Sequence, residues 1–321
     1  HQPPACRRFV PLMTKLLALT GGVGGAKLAV GLAQILSPEQ LLFAVNTGDD
    51  FEHLGLHISP DIDSLTYALA QQNNTETGWG RAGESWNFIE TLSSLGGEDW
   101  FRLGDKDLAL HTARSQMLRR GASLTEATAH ITQQMGIKHT IAPMSDDPVR
   151  TIVHCEEGDF NFQHYFVRER CEPKVRGFSF DGIADACLNP LLVDWLSECD
   201  GVIICPSNPF VSVDPLLKLD GFGEALQSLP VVAVSPIVDG IAIKGPAAKM
   251  LQEMNMPATA AAVANHYRGL IDGFVVDKND KELIEQINVP TISTSSVMVS
   301  LQDRIDLATA CVDFLTTIKA S

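Results

Sequence analysis

The sequence lacks the usual features of secreted, membrane-bound and nucleic-acid-binding proteins. Its seven cysteines are odd in number and include no C-x-x-C pair, which argues against a disulfide framework and a zinc site. No apolar run approaches membrane length, and residues 1–12 have no apolar centre of a signal peptide. We therefore expect a cytoplasmic protein whose natural start is Met13.

Basic residues are also scarce. The chain of 321 residues has 24 Lys and Arg against 39 Asp and Glu, which is a formal net charge of −15. Nucleic acids and anionic membranes attract surplus positive charge, so neither is an expected partner. Small-molecule substrates are expected instead.

Motifs for covalent catalysis are missing as well. No Ser, His and Asp arrangement lies in a nucleophile elbow, and no cysteine has the glycine context of a thiol nucleophile. A covalent enzyme intermediate therefore has no support in the sequence.

The strongest positive signal lies in residues 16–63. Residues 16–19 and 41–45 are short apolar runs, and Leu28, Leu32 and Leu36 recur between them with helical spacing. The pattern predicts a strand, a glycine loop, a helix and a second strand. Because ligands of open α/β sheets bind at the carboxyl ends of the strands, the loops after both strands are expected to face one crevice.

The first of these loops has four glycines in five residues: Gly21, Gly22, Gly24 and Gly25. They allow close approach of a ligand, and a helix beginning near Ala26 would point its free amides at a phosphate. The loop is not a Walker motif, since leucine follows Lys27. It is also a poor dinucleotide fingerprint, since Lys27 replaces the third glycine and Asn46 replaces the acid. The alternative is a glycine turn that only packs the helix on the strand.

Four aspartates follow the second strand: Asp49, Asp50, Asp61 and Asp63. Ser59 and Pro60 predict a helix start, where acids stabilise the helix by about 0.3 to 1 kcal/mol, so a structural role alone explains Asp61 and Asp63. These two are two residues apart and cannot point the same way, so one could face the crevice and the other solvent. Beside a phosphate, however, four carboxylates need a divalent cation, and Mg²⁺ is the expected cofactor.

The remaining chain predicts an α/β fold, Rossmann-like, with a mostly parallel sheet and an α-rich inserted cap. We expect residues 13–72 to form the first part of the core, 73–194 an inserted cap with short strands, and 195–321 the second part. Helical spacing predominates in residues 85–135, whereas residues 151–155 and 160–167 have the pattern of strands. Short apolar strands and helices alternate from residue 201 onwards.

Two further groups of residues are candidates for ligand contacts. Trp79 or Trp86 could stack on a flat heterocycle, although packing is the commoner role of tryptophan. His53 and His57 have metal-pair spacing, but Gly55 between them indicates a loop, so we expect surface residues rather than a metal site.

Several motifs together resemble the 2-phospho-L-lactate transferase family, CofD-like, of coenzyme F-420 biosynthesis. The resemblance covers nearly everything after Met13. Its clearest motifs are the glycine loop with Ala26-Lys27, Asn46-Thr47-Gly48-Asp49-Asp50, Ser59-Pro60-Asp61-Ile62-Asp63, Gly78-Trp79-Gly80, Gly104-Asp105-Lys106-Asp107, Phe162-Gln163-His164-Tyr165, Pro206-Ser207-Asn208-Pro209 and Ser235-Pro236-Ile237-Val238.

The resemblance implies a transferase that moves a phospholactyl group from guanosine diphospho-lactate to the ribityl hydroxyl of the deazaflavin Fo, with release of GMP and assistance from Mg²⁺. Asp63 and Lys106, with Trp79, are then expected at the deazaflavin. Asp63 and Asp50 are expected to be catalytic. The nucleotide and phosphate contacts would come from Gly21, Gly22, Gly24, Gly25, Lys27, Asn46, Ser207 and Asn208, and the metal ligands from Asp49, Asp50 and Asp61.

Some questions stay open at the level of sequence. The loop from His53 to His57 departs from the family pattern, and the donor could carry lactate, enolpyruvate or glycerate. A regulatory protein of the same core that binds a nucleotide sugar without turnover is one alternative, and an NAD-dependent oxidoreductase is another. We also expect a homodimer.

Overall fold

Short apolar runs of the chain form β-strands, and the segments between them form helices. The computed structural model describes residues 15–75, 78–242 and 245–319. The strands are β1 (Leu16–Thr20), β2 (Leu41–Val45), β3 (Phe51–His53), β4 (Leu56–Ile58), β5 (Thr140–Pro143), β6 (Arg150–Cys155), β7 (Gly158–Asn161), β8 (Val175–Asp181), β9 (Gly201–Ile204), β10 (Val231–Val234), β11 (Ile237–Val238), β12 (Ile241–Ala242), β13 (Gly273–Asp277) and β14 (Thr291–Thr294). The α-helices are α1 (Gly22–Ile35), α2 (Pro60–Leu69), α3 (Asn87–Ser94), α4 (Asp105–Arg119), α5 (Leu124–Gln134), α6 (Pro190–Leu196), α7 (Asp214–Leu217), α8 (Phe222–Leu226), α9 (Ala247–Glu253), α10 (Ala260–His266) and α11 (Leu301–Lys319).

Seven strands form one parallel sheet in the order β14-β13-β10-β9-β1-β2-β5. Alternate side chains of β1 enter two cores, with Leu17 and Leu19 on one face of the sheet and Leu16 and Ala18 on the other. The strand order reverses between β1 and β9, and such a switch point is where doubly wound sheets bind their ligands. The predicted α/β, Rossmann-like class with a parallel sheet is confirmed.

The division of the chain at residues 73 and 194 stays a prediction, and its first boundary, at Met13, lies outside the described residues. One strand inside the range 73–194 nevertheless belongs to the core, because β5 pairs with β2 at the edge of the main sheet. The segment is therefore not a simple insertion between two halves of the sheet.

Helix α1 begins earlier than its sequence predicts. Glycine costs about 1 kcal/mol relative to alanine inside a helix, so the pattern delays the predicted start to Ala26. The helix instead begins at Gly22 and includes Gly24 and Gly25. Close packing of these glycines, described below, outweighs their poor helix propensity.

Two antiparallel units were missed or misjudged from sequence. β3 and β4 form a hairpin where a loop was expected, and β6 lies between β7 and β8 in a separate three-stranded sheet. The strand predicted over residues 160–167 is confirmed only for residues 160 and 161, which belong to β7, and is wrong beyond them, because a π-helix occupies His164–Arg168. Phe162 and Tyr165 are both buried three residues apart, a spacing that suits a helical turn better than a strand.

The starts of α3 and α4 are joined by reciprocal capping contacts. Glu84 accepts hydrogen bonds from the amides of Lys106 and Asp107 at the start of α4, at 2.8 and 2.9 Å. Asp105 in turn accepts from the amide of Phe88 at the start of α3, at 3.0 Å, and its own amide donates to the carbonyl of Ser85. Each helix start is thus held by a carboxylate that lies near the start of the other helix.

Among the described helices, none has both the length and the apolar character needed to cross a membrane.

Candidate functional site

The glycine loop after β1 lies against the loop after β9, at the switch point of the sheet. The amide of Gly21 donates to Ser207 Oγ at 3.2 Å. A Cβ on Gly24 would stand 2.5 Å from the carbonyl oxygen of Pro206, and one on Gly25 would stand 2.6 Å from Ser207 Oγ. Packing between the two loops therefore requires glycine at these positions. The alternative sequence interpretation expected packing of the helix on the strand, and the predicted phosphate contacts of these glycines stay predictions.

Gly22 has a different role, because no atom would meet a Cβ there and its φ of +66° is in the left-handed region that favours glycine. Its amide donates to Asp61 Oδ1 at 2.7 Å. The N-cap residue Gly21 makes no side-chain capping bond, and Asp61 occupies the amide of Gly22 but not the later amides of the first turn. The helix start therefore keeps amides that can bind an anion.

Asp61 ties the glycine loop to the second strand. Its Oδ1 accepts from the Gly22 amide, and its Oδ2 accepts from Asn46 Nδ2 at 2.9 Å. Burial raises the pKa of Asp61 to about 6, although the hydrogen bonds from Asn46 and Gly22 work in the opposite direction. Both oxygens of this carboxylate are therefore engaged by the protein, and the metal role predicted for Asp61 stays a prediction.

Asp63 points away from the glycine loop, into α4. Its Oδ2 accepts from Arg114 Nη1 at 3.1 Å, and its Oδ1 accepts from Arg114 Nη2. Asp61 and Asp63 do diverge, but the expectation that one of them meets solvent is wrong, because each is only 5% exposed. Arg114 of α4, itself 1% exposed, covers the side of Asp63 that solvent would otherwise occupy.

The ion pair of Asp63 continues along one face of α4. His111 Nδ1 lies 3.5 Å from Asp63 Oδ2, and His111 Nε2 lies 3.2 Å from Asp107 Oδ1. Tyr67 of α2 donates to the same oxygen of Asp107. Burial and the neighbouring carboxylates raise the pKa of Tyr67, so its hydroxyl stays a donor. We call Asp63, Tyr67, Asp107, His111 and Arg114 the α2–α4 charge cluster.

Asp50 is held by the hairpin and by the start of α2. Its Oδ2 accepts from Ser59 Oγ at 2.8 Å and lies 3.0 Å from His57 Nε2. Ser59 precedes Pro60 as predicted, but its side chain does not cap α2 because Asp50 engages it. His53 was expected at the surface and is instead 3% exposed, packed among Phe51 and Trp100.

Several buried oxygens near the ends of β1 and β2 have no hydrogen-bond partner among the described residues: Thr20 Oγ1, Thr47 Oγ1, Asp49 Oδ1, Asp50 Oδ1 and Thr151 Oγ1. Burial, with the charges of Asp61 and Asp50, raises the pKa of Asp49 well above its usual value. An unpaired buried polar group costs about 1 to 3 kcal/mol, so this concentration indicates a polar or cationic ligand.

The carboxylates fit Mg²⁺ only in combination with a substrate. Within the described residues, no three His, Cys, Asp or Glu side chains converge on one point. Mg²⁺, however, usually binds one or two carboxylates together with water and phosphate oxygens. Asp49 and Asp50, each with a free buried oxygen, meet that requirement.

A cavity of about 380 Å³ opens beside Asp50, and its polar lining includes Thr47, Asp50, His57, Ser115, Arg119 and Arg150. Its size is at the lower end of the range for small-molecule sites. The hairpin is fixed to one wall because the His57 amide donates to Ser115 Oγ at 2.8 Å. The cavity thus lies between α4 and the buried oxygens of Thr47 and Asp50 that have no hydrogen-bond partner among the described residues.

Other predicted site residues lie outside this group. Lys106 Nζ donates to the carbonyl of Gly83 at 2.6 Å, and Trp79 is 53% exposed on the preceding loop. Lys27 Nζ donates to the carbonyl of Met298 at 2.9 Å. Asn208 Oδ1 accepts from the amide of Phe210, which shapes the loop after β9. The ligand contacts predicted for these residues stay predictions.

Arg114, His111 and His57 were not identified as site residues from sequence. A signal for the first two was present, because Asp107, His111 and Arg114 recur at helical spacing where α4 should be apolar. A charged stripe on an inward face indicates a buried ionic partner. His57 carried no comparable signal.

Comparison with known proteins identifies relatives over nearly the whole chain. The family model described as 2-phospho-L-lactate transferase CofD matches residues 16–308. A 2-phospho-L-lactate transferase of Methanosarcina mazei is 35% identical over 296 residues, covering 91% of this chain and 98% of the relative. A phosphoenolpyruvate transferase of Streptomyces coelicolor is 35% identical over 297 residues, covering 90% and 93%.

A solved structure has the same fold. The crystal structure of a UPF0052 family member from Bacillus halodurans superimposes with a TM-score of 0.62 and covers 94% of this chain and 99% of that chain, at 16% sequence identity. The curated relatives named here are transferases, so the NAD-dependent oxidoreductase has no support from them.

Proposed function

This chain belongs to the 2-phospho-L-lactate transferase family CofD and is a transferase, and we propose that its donor is a guanosine diphospho compound and its acceptor the deazaflavin Fo. In this reaction a phospholactyl group, or that of a related three-carbon acid, moves to the ribityl hydroxyl and GMP leaves. The family match over residues 16–308 carries the proposal.

The identity of the three-carbon acid on the donor is a separate part of the proposal. The chain is 35% identical both to a 2-phospho-L-lactate transferase and to a phosphoenolpyruvate transferase. Overall similarity therefore does not discriminate between lactate and enolpyruvate, and glycerate stays a third candidate.

On the donor side, the first-turn amides of α1 would bind a phosphate, assisted by the positive end of the helix dipole. Asp49 and Asp50 would hold Mg²⁺, which when bound neutralises charge on the phosphates. The orphaned oxygens of Thr20 and Thr47 support a polar ligand at this edge of the sheet.

On the acceptor side, Asp63 would orient the hydroxyl. Arg114 uses one lone pair on each oxygen of Asp63, and a carboxylate has about four such sites, so others remain for the acceptor. As the hydroxyl oxygen bonds to phosphorus, the bond from phosphorus to the GMP oxygen breaks, and Asp63 accepts the hydroxyl proton. Positioning and charge suffice for this chemistry without a protein nucleophile.

Mass spectrometry tests the proposal directly. The protein is incubated with Fo, Mg²⁺ and each of the three guanosine diphospho donors, and one donor is expected to yield GMP and an Fo adduct. The lactate and enolpyruvate adducts differ by two hydrogen atoms and are resolved by mass. Donor binding without product from any donor would favour the nucleotide-binding regulatory protein.

Metal dependence is tested in the same assay. We expect EDTA to stop turnover and added Mg²⁺ to restore it, because the buried carboxylates and the diphosphate repel one another without a cation. Full turnover in EDTA would contradict the metal role. The homodimer and the cytoplasmic location are further proposals, the first of which light scattering in solution can measure.

A further inference from the structure

Arg114 differs from an ordinary buried arginine in how its hydrogen bonds are distributed. It is 1% exposed, and both terminal nitrogens are directed at Asp63. Its Nε has no partner among the described residues. Both terminal nitrogens thus bond the carboxylate of Asp63, and Nη1 also lies 3.4 Å from Nδ1 of His111 on the same helix.

Stability alone does not account for this pair. Burying two charges carries a desolvation cost that their attraction often fails to offset, and apolar replacements of such pairs are frequently neutral or stabilising. Burial also opposes the charge of Arg114, but the carboxylates of Asp63 and Asp50 outweigh it, and the pKa of Arg114 is raised. The guanidinium therefore remains a cation.

The geometry of the pair does control orientation. A bidentate guanidinium fixes both the position and the plane of the carboxylate it binds, which a single donor cannot do. His111 lies beside both partners, since its Nδ1 is 3.5 Å from Asp63 Oδ2 and 3.4 Å from Arg114 Nη1. Asp107 in turn lies 3.2 Å from the other nitrogen of His111.

We propose that Arg114 is a positioning residue, which fixes the carboxylate of Asp63 in the orientation that receives the acceptor hydroxyl. His111 and Asp107 support that orientation from α4. The inference rests on the proposed function, because it takes Asp63 as the residue that meets the acceptor. A misplacement of about 1 Å at a reacting group can cost a hundredfold in rate, so small changes in this pair should be visible.

The decisive variant is Arg114→Lys, which keeps the charge and removes the bidentate geometry. We expect kcat/KM for the acceptor to fall by about tenfold or more while KM for the donor stays near that of the parent. Arg120→Lys, an exposed position just beyond α4, is the matched control and should behave as the parent. Thermal unfolding of both variants separates a kinetic defect from loss of fold.

A double-mutant cycle distinguishes positioning from a general structural role. Fo binding is measured by fluorescence in the parent, Arg114→Lys, Asp63→Asn and the double variant. If Arg114 acts through Asp63, its substitution should weaken binding in the parent and have no further effect in the Asp63→Asn background. His111→Gln provides a second variant should Arg114→Lys not fold, with a smaller loss expected in the same kinetic parameter.

The possible results separate the two proposals. Equal kcat/KM for the acceptor in Arg114→Lys and the parent overturns the inference alone. An equal loss of Fo affinity in both backgrounds of Asp63 also overturns it, since Arg114 would then act independently. A parent protein that does not bind Fo overturns the proposed acceptor and this inference with it.

Discussion

The first turn of α2 carries two aspartates, Asp61 and Asp63, that are equally buried but whose negative charges have different partners. Asp61 faces the glycine loop, where its partners are two neutral donors from Gly22 and Asn46, and its pKa rises to about 6. Asp63 faces α4, where its partner is the cation Arg114. Burial is the same on both sides, so the partner decides how well each carboxylate is neutralised.

This difference divides the site into two parts. On the side of Asp61, Asp49 and Asp50 each keep a buried oxygen without a hydrogen-bond donor among the described residues, and the pKa of Asp49 is raised by burial and by the charges of Asp61 and Asp50. That side requires positive charge from a ligand or metal. The side of Asp63 is compensated within the protein and can receive a neutral hydroxyl.

The largest effect is expected from removing the compensated carboxylate. Asp63→Asn should lower the rate of transfer by about a hundredfold or more, because an orienting and proton-accepting group contributes that much. Asp313→Asn, an exposed acid of α11, is the control and should leave the rate unchanged. Steady-state kinetics with residual activity within a few fold of the parent would refute the role of Asp63.

Removing the cation should weaken the fold strongly. Arg114→Met leaves Asp63 buried without a counter-charge, and we expect a loss of about 3 to 5 kcal/mol in the free energy of unfolding. Arg114→Met combined with Asp63→Asn should recover most of that loss, since neither charge is then left unpaired. Urea denaturation measures the free energy of unfolding of both variants. If the double variant is as unstable as Arg114→Met, the loss of stability comes from packing of the arginine and not from its charge.

Lys106, at the start of α4, is the second residue that we propose to contact the acceptor. Lys106 is exposed in the free protein, so the bound deazaflavin would have to shield its ammonium group from water. Lys106→Ala should then weaken binding of Fo by about tenfold to a hundredfold, because a shielded charged hydrogen bond contributes roughly 1.5 to 3 kcal/mol. Affinity for GDP should change little. Fluorescence titration measures both ligands, and equal Fo affinities would leave Lys106 with only its contact to the Gly83 carbonyl. A parallel loss of GDP affinity would place it on the donor side.

The smallest expected effect is the pH dependence of stability that Asp61 causes. Between about pH 4 and 6 the folded protein holds a proton on Asp61 that the unfolded chain has released, so its stability should fall as the pH rises. The slope from one such group is at most about 1.4 kcal/mol per pH unit. Asp61→Asn should reduce this slope in EDTA, as measured by urea midpoints at successive pH values. An unchanged slope would show that Asp61 does not cause it.

Local sequence patterns were sufficient to predict the central strands that position Asp61 and Asp63. The predicted second strand coincides with β2, and the first falls one residue short of β1, because buried parallel strands are continuous apolar runs. The meeting of the glycine loop with Ser207 also follows from strand order, which brings carboxyl ends to one edge.

Long-range pairs were beyond the reach of periodicity. Asp63 and Arg114 are 51 residues apart, and nothing in the local spacing of either shows that α4 covers α2. The hairpin of β3 and β4 was missed for a different reason, since its strands have only three residues each and give too few alternations to recognise. Its burial of His53 depends on Trp100, which is again distant in sequence.

The crossed caps at Glu84 and Asp105 also affect how this protein can evolve. Residues 86–104 leave and rejoin the chain at almost one point, because the amide of Asp105 lies 2.9 Å from the carbonyl oxygen of Ser85. Doubling the length of such a closed excursion costs only about 0.6 kcal/mol in closure entropy. Insertions and deletions near Gly96 and Gly97 should therefore accumulate between lineages while α4 keeps its register, so the length of this segment can change without disturbing the charged residues of α4.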